Sequence, residues 1–284
     1  MVAAPEDPRP GTWVGGPSAQ LVDGVWWLAY RVRRPVGEGR GHGNVVARSD
    51  DGVRFTPVVE LGKDRFGAES LERPALVSTA DGRWRLYVSC ATPGTKHWRV
   101  DLLEADTVAG LAGATPRTVL PGSDAAAVKD PVIRVDGHQW HLWASVHPLD
   151  DPDATDRMTT EHATSTDGVT WQWRGTALAG TEGSWDARGV RFTAVVLDGS
   201  RTWALYDGRA SAEENFEERT GLAVSDGEGA FVAARDTPLL QSPHPPFGLR
   251  YADVVALPGG GARWFYEATR ADGAHELRTV VLPE

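Results

Sequence analysis

IRVDGHQWHLWAS, residues 133–145, joins two runs of alternating apolar residues through the pair Asp136-Gly137. A two-residue hairpin turn needs positive φ at its centre, and Asp-Gly tolerates it, so the segment is a strong signal for an antiparallel hairpin. The turn and second run recur as QLVDGVWWLAY with Trp26, STADGRWRLYVS with Trp84, VVLDGSRTWALYDG with Trp203 and ALPGGGARWFYEA with Trp264, matching Trp140 here. Asp23-Gly24, Asp81-Gly82, Asp136-Gly137 and Asp198-Gly199 are spaced by 58, 55 and 62 residues, with Gly259-Gly260 about as far again. Self-similarity at such a period marks an array of equal supersecondary units.

A third strand follows in several units. ARSDDGVRFTPV (47–58), ATSTDGVTWQWRG (163–175) and AVSDGEGAFVAAR (223–235) share a serine, an Asp-Gly turn and an aromatic residue. Five such units without long helices predict an all-β chain, a five-bladed β-propeller of four-stranded antiparallel blades, because radial repetition shortens exposed sheet edges. The blades are expected near residues 10–60, 61–122, 123–180, 181–241 and 242–284, making residues 1–284 a single domain. The last unit offers three strands, so the N-terminal segment is expected to complete it, with Pro5, Pro8 and Pro10 keeping that strand short. A tryptophan repeated in every unit is expected to be core between blades.

Composition narrows the function. The 284 residues carry a net charge of −10, which leaves no basic face for nucleic-acid phosphates and points to a small ligand. One cysteine, Cys90, excludes an intramolecular disulfide and a cysteine-rich zinc site, and is expected to be a small buried hydrophobe. His138 and His141 are three apart on a strand and face opposite sides, and Asp150, Asp151 and Asp153 lack regular calcium-loop spacing, so neither metal nor cofactor is expected. No stretch of eighteen apolar residues and no basic head with an apolar core occurs, and the expected location is cytoplasmic, away from membranes. The sequence leaves the oligomeric state open.

In a propeller the innermost strands run together along one axis, so equivalent positions at their starts meet in a ring. Aligning the units on the Asp-Gly turn puts Gly16-Pro17, Glu72-Arg73-Pro74, Asp130-Pro131 and Asp253 at one level, while GSWDARGVRFTAVV brings Asp186, Arg188 and Arg191 before the fourth unit's first strand. VKDPVIRVDGHQWHLWAS resembles the Asp-Pro strand-turn-strand unit of the five-bladed glycoside hydrolases, families 32, 43 and relatives. LERPALVSTADGRWRLYVS resembles the unit that holds their acid, and STDGVTW their Ser-x-Asp-Gly-x-x-aromatic segment.

The resemblance implies a pair of carboxylates across a sugar-binding funnel, one protonated to assist the leaving oxygen and the other acting as base or nucleophile. It makes Glu72 the acid, with a proton retained nearer neutrality, and Asp130 the ionised carboxylate that orients a carbohydrate or glycosylated small molecule. Those families usually keep an aspartate in the first blade, where this chain has Gly16. Either Asp186 or Asp253 supplies that role, or the propeller binds a glycan without hydrolysing it. A further alternative is that Glu72 and Asp130 are ion-paired with Lys129, Arg73 or Arg188 and hold blades in register. Arg73, Arg188, Arg209 and Arg250 are expected to bind ligand, a uronate or a phosphate as in the related glycoside phosphorylases, since the guanidinium fork suits both. ALYDGRASAEENFEERTGLAVS places Glu217, Glu218 and Arg219 where a strand tip returns toward the pocket, and His147 ends its strand near Asp130.

Overall fold

Gly24, Gly82 and Gly137 take the positive φ, 78°, 82° and 58°, that their hairpin turns require, and four strands follow one another outward in almost every unit. The computed structural model describes residues 1–198, 201–227 and 229–283; Gly199, half of the fourth predicted turn, lies outside them. Blade one comprises β1 (Trp13–Val22), β2 (Val25–Arg33), β3 (Gly41–Ser49) and β4 (Thr56–Gly62). Blade two comprises β5 (Leu71–Ser78), β6 (Trp84–Ala91), β7 (Trp98–Ala105) and β8 (Arg117–Leu120). Blade three comprises β9 (Ala126–Asp136), β10 (Gln139–Pro148), β11 (Thr159–Ser165) and β12 (Gln172–Leu178). Blade four comprises β13 (Gly189–Asp198), β14 (Arg201–Arg209), β15 (Arg219–Ser225) and β16 (Phe231–Ala233), and blade five β17 (Leu249–Ala256), β18 (Ala262–Thr269) and β19 (His275–Leu282).

Within each blade, neighbours pair antiparallel in chain order. The first strands touch in the closed cycle β1, β5, β9, β13, β17 and back to β1, which makes the molecule a five-bladed β-propeller. The N-terminal segment completes blade five as a single bridge, Ala3 opposite Leu277, with Val2 N donating to the Leu277 carbonyl at 2.7 Å and Leu277 N to the Ala3 carbonyl at 2.9 Å. The Ser-Asp-Asp-Gly and Ser-Thr-Asp-Gly segments are turns linking the third strand to the fourth, rather than third strands themselves. Ser49 Oγ accepts from the N–H groups of Asp51 and Gly52, and Asp51 Oδ1 accepts from Val53 and Arg54. Ser165 and Asp167 repeat these bonds in blade three.

Every gap between blades holds its own apolar cluster. Trp84 packs with Leu76 and Leu86 against Ala29 and Val46 of blade one, and Trp140 with Ile133 and Leu142 against Val77 and Tyr87 of blade two. Trp26 faces Phe265 of blade five, so these three tryptophans are interblade core as expected. Trp203 and Trp264 depart from the expectation in being only partly buried, with Leu205 in the gap between blades four and five, and of the five tryptophans Trp203 faces the following blade instead of the preceding one. The cause is parity. Trp26, Trp84 and Trp140 stand five residues before Arg31, Ser89 and Ser145, the polar ends of their runs, and Trp264 three before Glu267, but Trp203 stands four before Asp207. An even offset puts a strand side chain on the opposite face.

Candidate functional site in the axial funnel

The first strands are bulged where they approach the axis, with pairing shifts between Gly15 and Ser18, Leu71 and Pro74, and Arg250 and Asp253. Gly16, Asp130 and Tyr251 adopt φ of 62°, 53° and 53°, so the residue equivalent to Asp130 in blade five is Tyr251. A non-glycine residue is disfavoured there. At two of these bulges the backbone is held by the preceding blade: Asp130 N donates to Ser89 Oγ at 2.8 Å, and Tyr251 N to the Asp207 carboxylate at 3.0 Å. Ser89 and Asp207 belong to a buried tier, Arg31, Ser89, Ser145, Asp207 and Glu267, one polar residue closing the apolar run of each second strand.

Above this tier opens a cavity of about 270 Å³. Its wall includes four of the nine residues expected from sequence to form the site: Glu72, His147, Arg209 and Arg250. Asp130 lies directly behind, fully buried, with Oδ2 3.4 Å from the Tyr251 hydroxyl, 3.5 Å from Lys129 Nζ and 3.7 Å from Arg191. Its Oδ1 has no hydrogen-bond partner among the described residues.

The other four lie elsewhere. Asp253 is two residues beyond the bulge, where it accepts from Ala19 N at 2.7 Å and Arg134 at 3.3 Å. Asp186 accepts from the Tyr206 hydroxyl at 2.8 Å, and Arg188 pairs with Asp156 at 2.7 Å; neither lines the funnel. Arg73 crosses the axis beneath the cavity and donates to the carbonyls of Pro17 at 3.0 Å, Pro131 at 3.3 Å and Thr193 at 2.7 Å. It ties three other blades together, so its donors are committed to backbone rather than ligand.

Blade one departs most from the expected pattern. A methyl group at Gly15 would overlap the Glu267 carboxylate, which leans in from blade five, so glycine is required there. Glu267 in turn holds Arg31 at 2.7 Å, Arg250 at 2.8 Å and His275 Nδ1 at 2.8 Å. Arginines therefore face the cavity where an aspartate was sought. Glu72 pairs with Arg31 and, at 2.9 Å, with Arg33. Glu218, on the loop entering β15, pairs with Arg209, with Arg250 at 2.9 Å and with Arg191 at 3.3 Å.

Charge follows from these contacts. Burial pushes Glu72 up, but Arg31 and Arg33 outweigh it and hold the carboxyl well below its ordinary range. Glu72 is thus an ion-paired carboxylate in the free protein, and the expected proton is absent because two guanidiniums face it. Burial likewise opposes ionisation of Glu218, and Arg191, Arg250 and Arg209 prevail. His147 is held well below its usual value by burial and by Lys129, so it is neutral; Nδ1–H donates to the Thr155 carbonyl at 2.8 Å and Nε2 accepts from Ser145 at 3.0 Å. The sequence signal that would have found Arg31 and Glu267 is the tier itself, a polar residue ending an apolar strand in every unit. Arg33 and Tyr251 carry no comparable mark.

The sequence pattern of the glycosyl hydrolases family 32 N-terminal domain matches residues 130–252, beginning at Asp130. Among solved structures, a thermostable family-43 glycoside hydrolase is similar at a TM-score of 0.75 and 12% identity, covering 99% of this chain and 93% of its own. The alpha-L-arabinofuranosidase from Lactobacillus brevis is similar at 0.71 and 15% identity, covering 99% and 94%. The beta-1,2-mannobiose phosphorylase from Listeria innocua is similar at 0.71 and 13% identity, covering 99% and 92%. No curated protein sequence matches the chain. The fold is that of the propeller glycoside hydrolases.

Proposed function

We propose that the protein acts on a glycosidic bond of a small sugar seated in the axial funnel. The observation that carries this is that two buried carboxylates, Glu72 from blade two and Glu218 from the edge of blade four, stand in the wall of one cavity, the third, Asp156, being tied to Arg188. Paired carboxylates across a sugar are the minimum equipment for glycoside cleavage. Both are ion-paired in the free protein, so either becomes a proton donor only when a ligand draws its arginines away. Asp130 acts from behind, holding Lys129 and the Tyr251 hydroxyl toward the ligand.

A second reading has its own support. Gly16 leaves blade one without a carboxylate to activate water, and Arg31 and Arg33 stand there instead. Phosphate brings its own nucleophilic oxygen and needs no such base, so phosphorolysis suits this wall.

The test is turnover of aryl glycosides and oligosaccharides with and without phosphate, by the wild type and by Glu218→Gln and Glu72→Gln. Each substitution is expected to lower kcat at least a hundredfold, the range of a lost general acid or base. Release of sugar 1-phosphate identifies phosphorolysis. Saturable sugar binding without turnover of any substrate makes the propeller a binding module and refutes the enzymatic reading.

A further inference from the structure

The chain as a whole is acidic, at −10, yet its one axial funnel is cationic. Among the described residues, eight arginine and lysine side chains line the cavity against three carboxylates. Four more carboxyl groups, Glu69, Asp130, Asp207 and Glu267, touch these cations, and with all of them ionised one cation remains in excess. Three of these arginines gather around Trp13. The guanidiniums of Arg33, Arg250 and Arg31 lie 4.1, 4.6 and 5.5 Å from the centre of its ring, and Phe216 covers Arg33 from 4.7 Å.

Cation–π contacts fix these groups but do not neutralise them. Arg33 has one ion-pair partner, Glu72, which it shares with Arg31, and its Nε and the Nη2 of Arg250 are buried without a hydrogen-bond partner among the described residues. Burial, opposed by Glu72 and reinforced by Arg31, Arg250 and Arg40, lowers Arg33 to about 10. Lys129 is also lowered, by burial first and against the pull of Asp130 and Glu72. A buried guanidinium is expensive unless matched by an anion. A rigid group of forks around one indole therefore suits an oxyanion.

We infer that the ligand of the funnel carries an oxyanion, a carboxylate or a phosphate, received by Arg33 and Arg250 beside Trp13. This rests on the funnel being the sugar site, and it names the substrate class that site takes: acidic or phosphorylated sugars, or a neutral sugar together with free phosphate.

Calorimetric titration of the full chain with D-glucuronate, glucose 6-phosphate, inorganic phosphate and glucose, at 20 and 200 mM NaCl, tests it. The anionic probes are expected to bind saturably and at least tenfold more weakly at the higher salt, with glucose alone at least tenfold weaker than the best of them. Tighter binding of the sugar-borne anions places the charge on the substrate; equal binding of inorganic phosphate assigns it to a co-substrate. Arg33→Met is expected to lose tenfold or more in anion affinity while keeping or raising its melting temperature. The wild-type titration decides even if that variant fails to fold. Absence of saturable binding by every anion, or salt-independent binding of glucose as tight as glucuronate, overturns the inference. Cleavage of neutral glycosides unaffected by any anion overturns it while leaving the glycosidase proposal intact. Anion binding without turnover of any sugar does the reverse.

Discussion

Asp207 ends the apolar run of β14 with a carboxyl that is fully buried and raised from 3.8 to about 7, by burial first, with Arg191 opposing and Glu218 adding to the rise. Between about pH 4 and 7 the folded carboxyl therefore keeps a proton that the unfolded chain has released. The stability contributed by this group is complete below that window and falls as pH rises through it. Glu72, Glu218 and Glu267 have the opposite sign, losing stability as pH falls below the usual carboxylate range, and they are common to wild type and variant. In urea unfolding at pH 4.5, 5.5, 6.5 and 7.5, Asp207→Asn should show the smaller loss of stability with rising pH, whatever its absolute value. Equal slopes would mean that Asp207 is ionised throughout. At this scale the sequence was legible where a residue stood at a strand tip, as with Glu72, His147, Arg209 and Arg250. It misled at Asp253 because blade five turns through a longer loop, with Leu257 N bonded to the Gly261 carbonyl where Asp136 pairs directly with Gln139, so counting back from Gly259 stops two residues short of Tyr251. Arg73 was misread for another reason: a side chain long enough to reach a ligand is also long enough to reach three carbonyls.

The Ser-x-Asp-Gly turns show how one blade grips the next. Arg85 of blade two lies 4.9 Å from the ring centre of Trp140 in blade three and donates to the Asp167 carbonyl in the adjacent turn. Blade five repeats the device on blade one, with Arg263 5.2 Å from Trp26 and 3.2 Å from the Gly52 carbonyl. Gly168 has φ of 69°, and an added Cβ would lie 2.7 Å from Trp140, whereas Gly137, at 58°, has nothing within 4 Å. Both glycines meet the left-handed penalty, about 1–2 kcal/mol for an alanine, but only Gly168 adds overpacking of about 1–3 kcal/mol. Gly168→Ala should therefore unfold at clearly lower temperature than Gly137→Ala, and equal melting temperatures would show that the turn does not dock. The hairpins and the repeat were plain in the sequence because turn chemistry is local. The face chosen by Trp203 was not, since it depends on whether the offset to the strand's polar end is odd or even.

At the scale of the whole molecule, residues 2 and 3 add to the closure that β1 makes with β17 and, through the Trp13–His275 pair, with β19. Their three backbone bonds to Leu277 join the chain's beginning to β19, while β1 continues directly into blade one. At about 0.5–1.5 kcal/mol for each bond, removal of residues 1–4 should cost roughly 2–4 kcal/mol. Hydrogen exchange should then speed up at the Leu277 amide before it does in blade three. Uniform loosening of all five blades would show that closure is carried elsewhere. The five-unit architecture was readable because every unit repeats the same turn, whereas the closing bridge is too short to leave a pattern.

Arg73 has one more consequence, drawn from its three carbonyl bonds across the axis. A guanidinium lodged there stands where an open tunnel would otherwise run along the axis. A ligand blocked on that side leaves by the side it entered, so whatever enters last departs first. For the proposed cleavage, such a site would be paced by traffic at its mouth as much as by bond breaking within it. Widening the mouth near Arg40 and Lys96, far from the reacting atoms, would then change how quickly products leave.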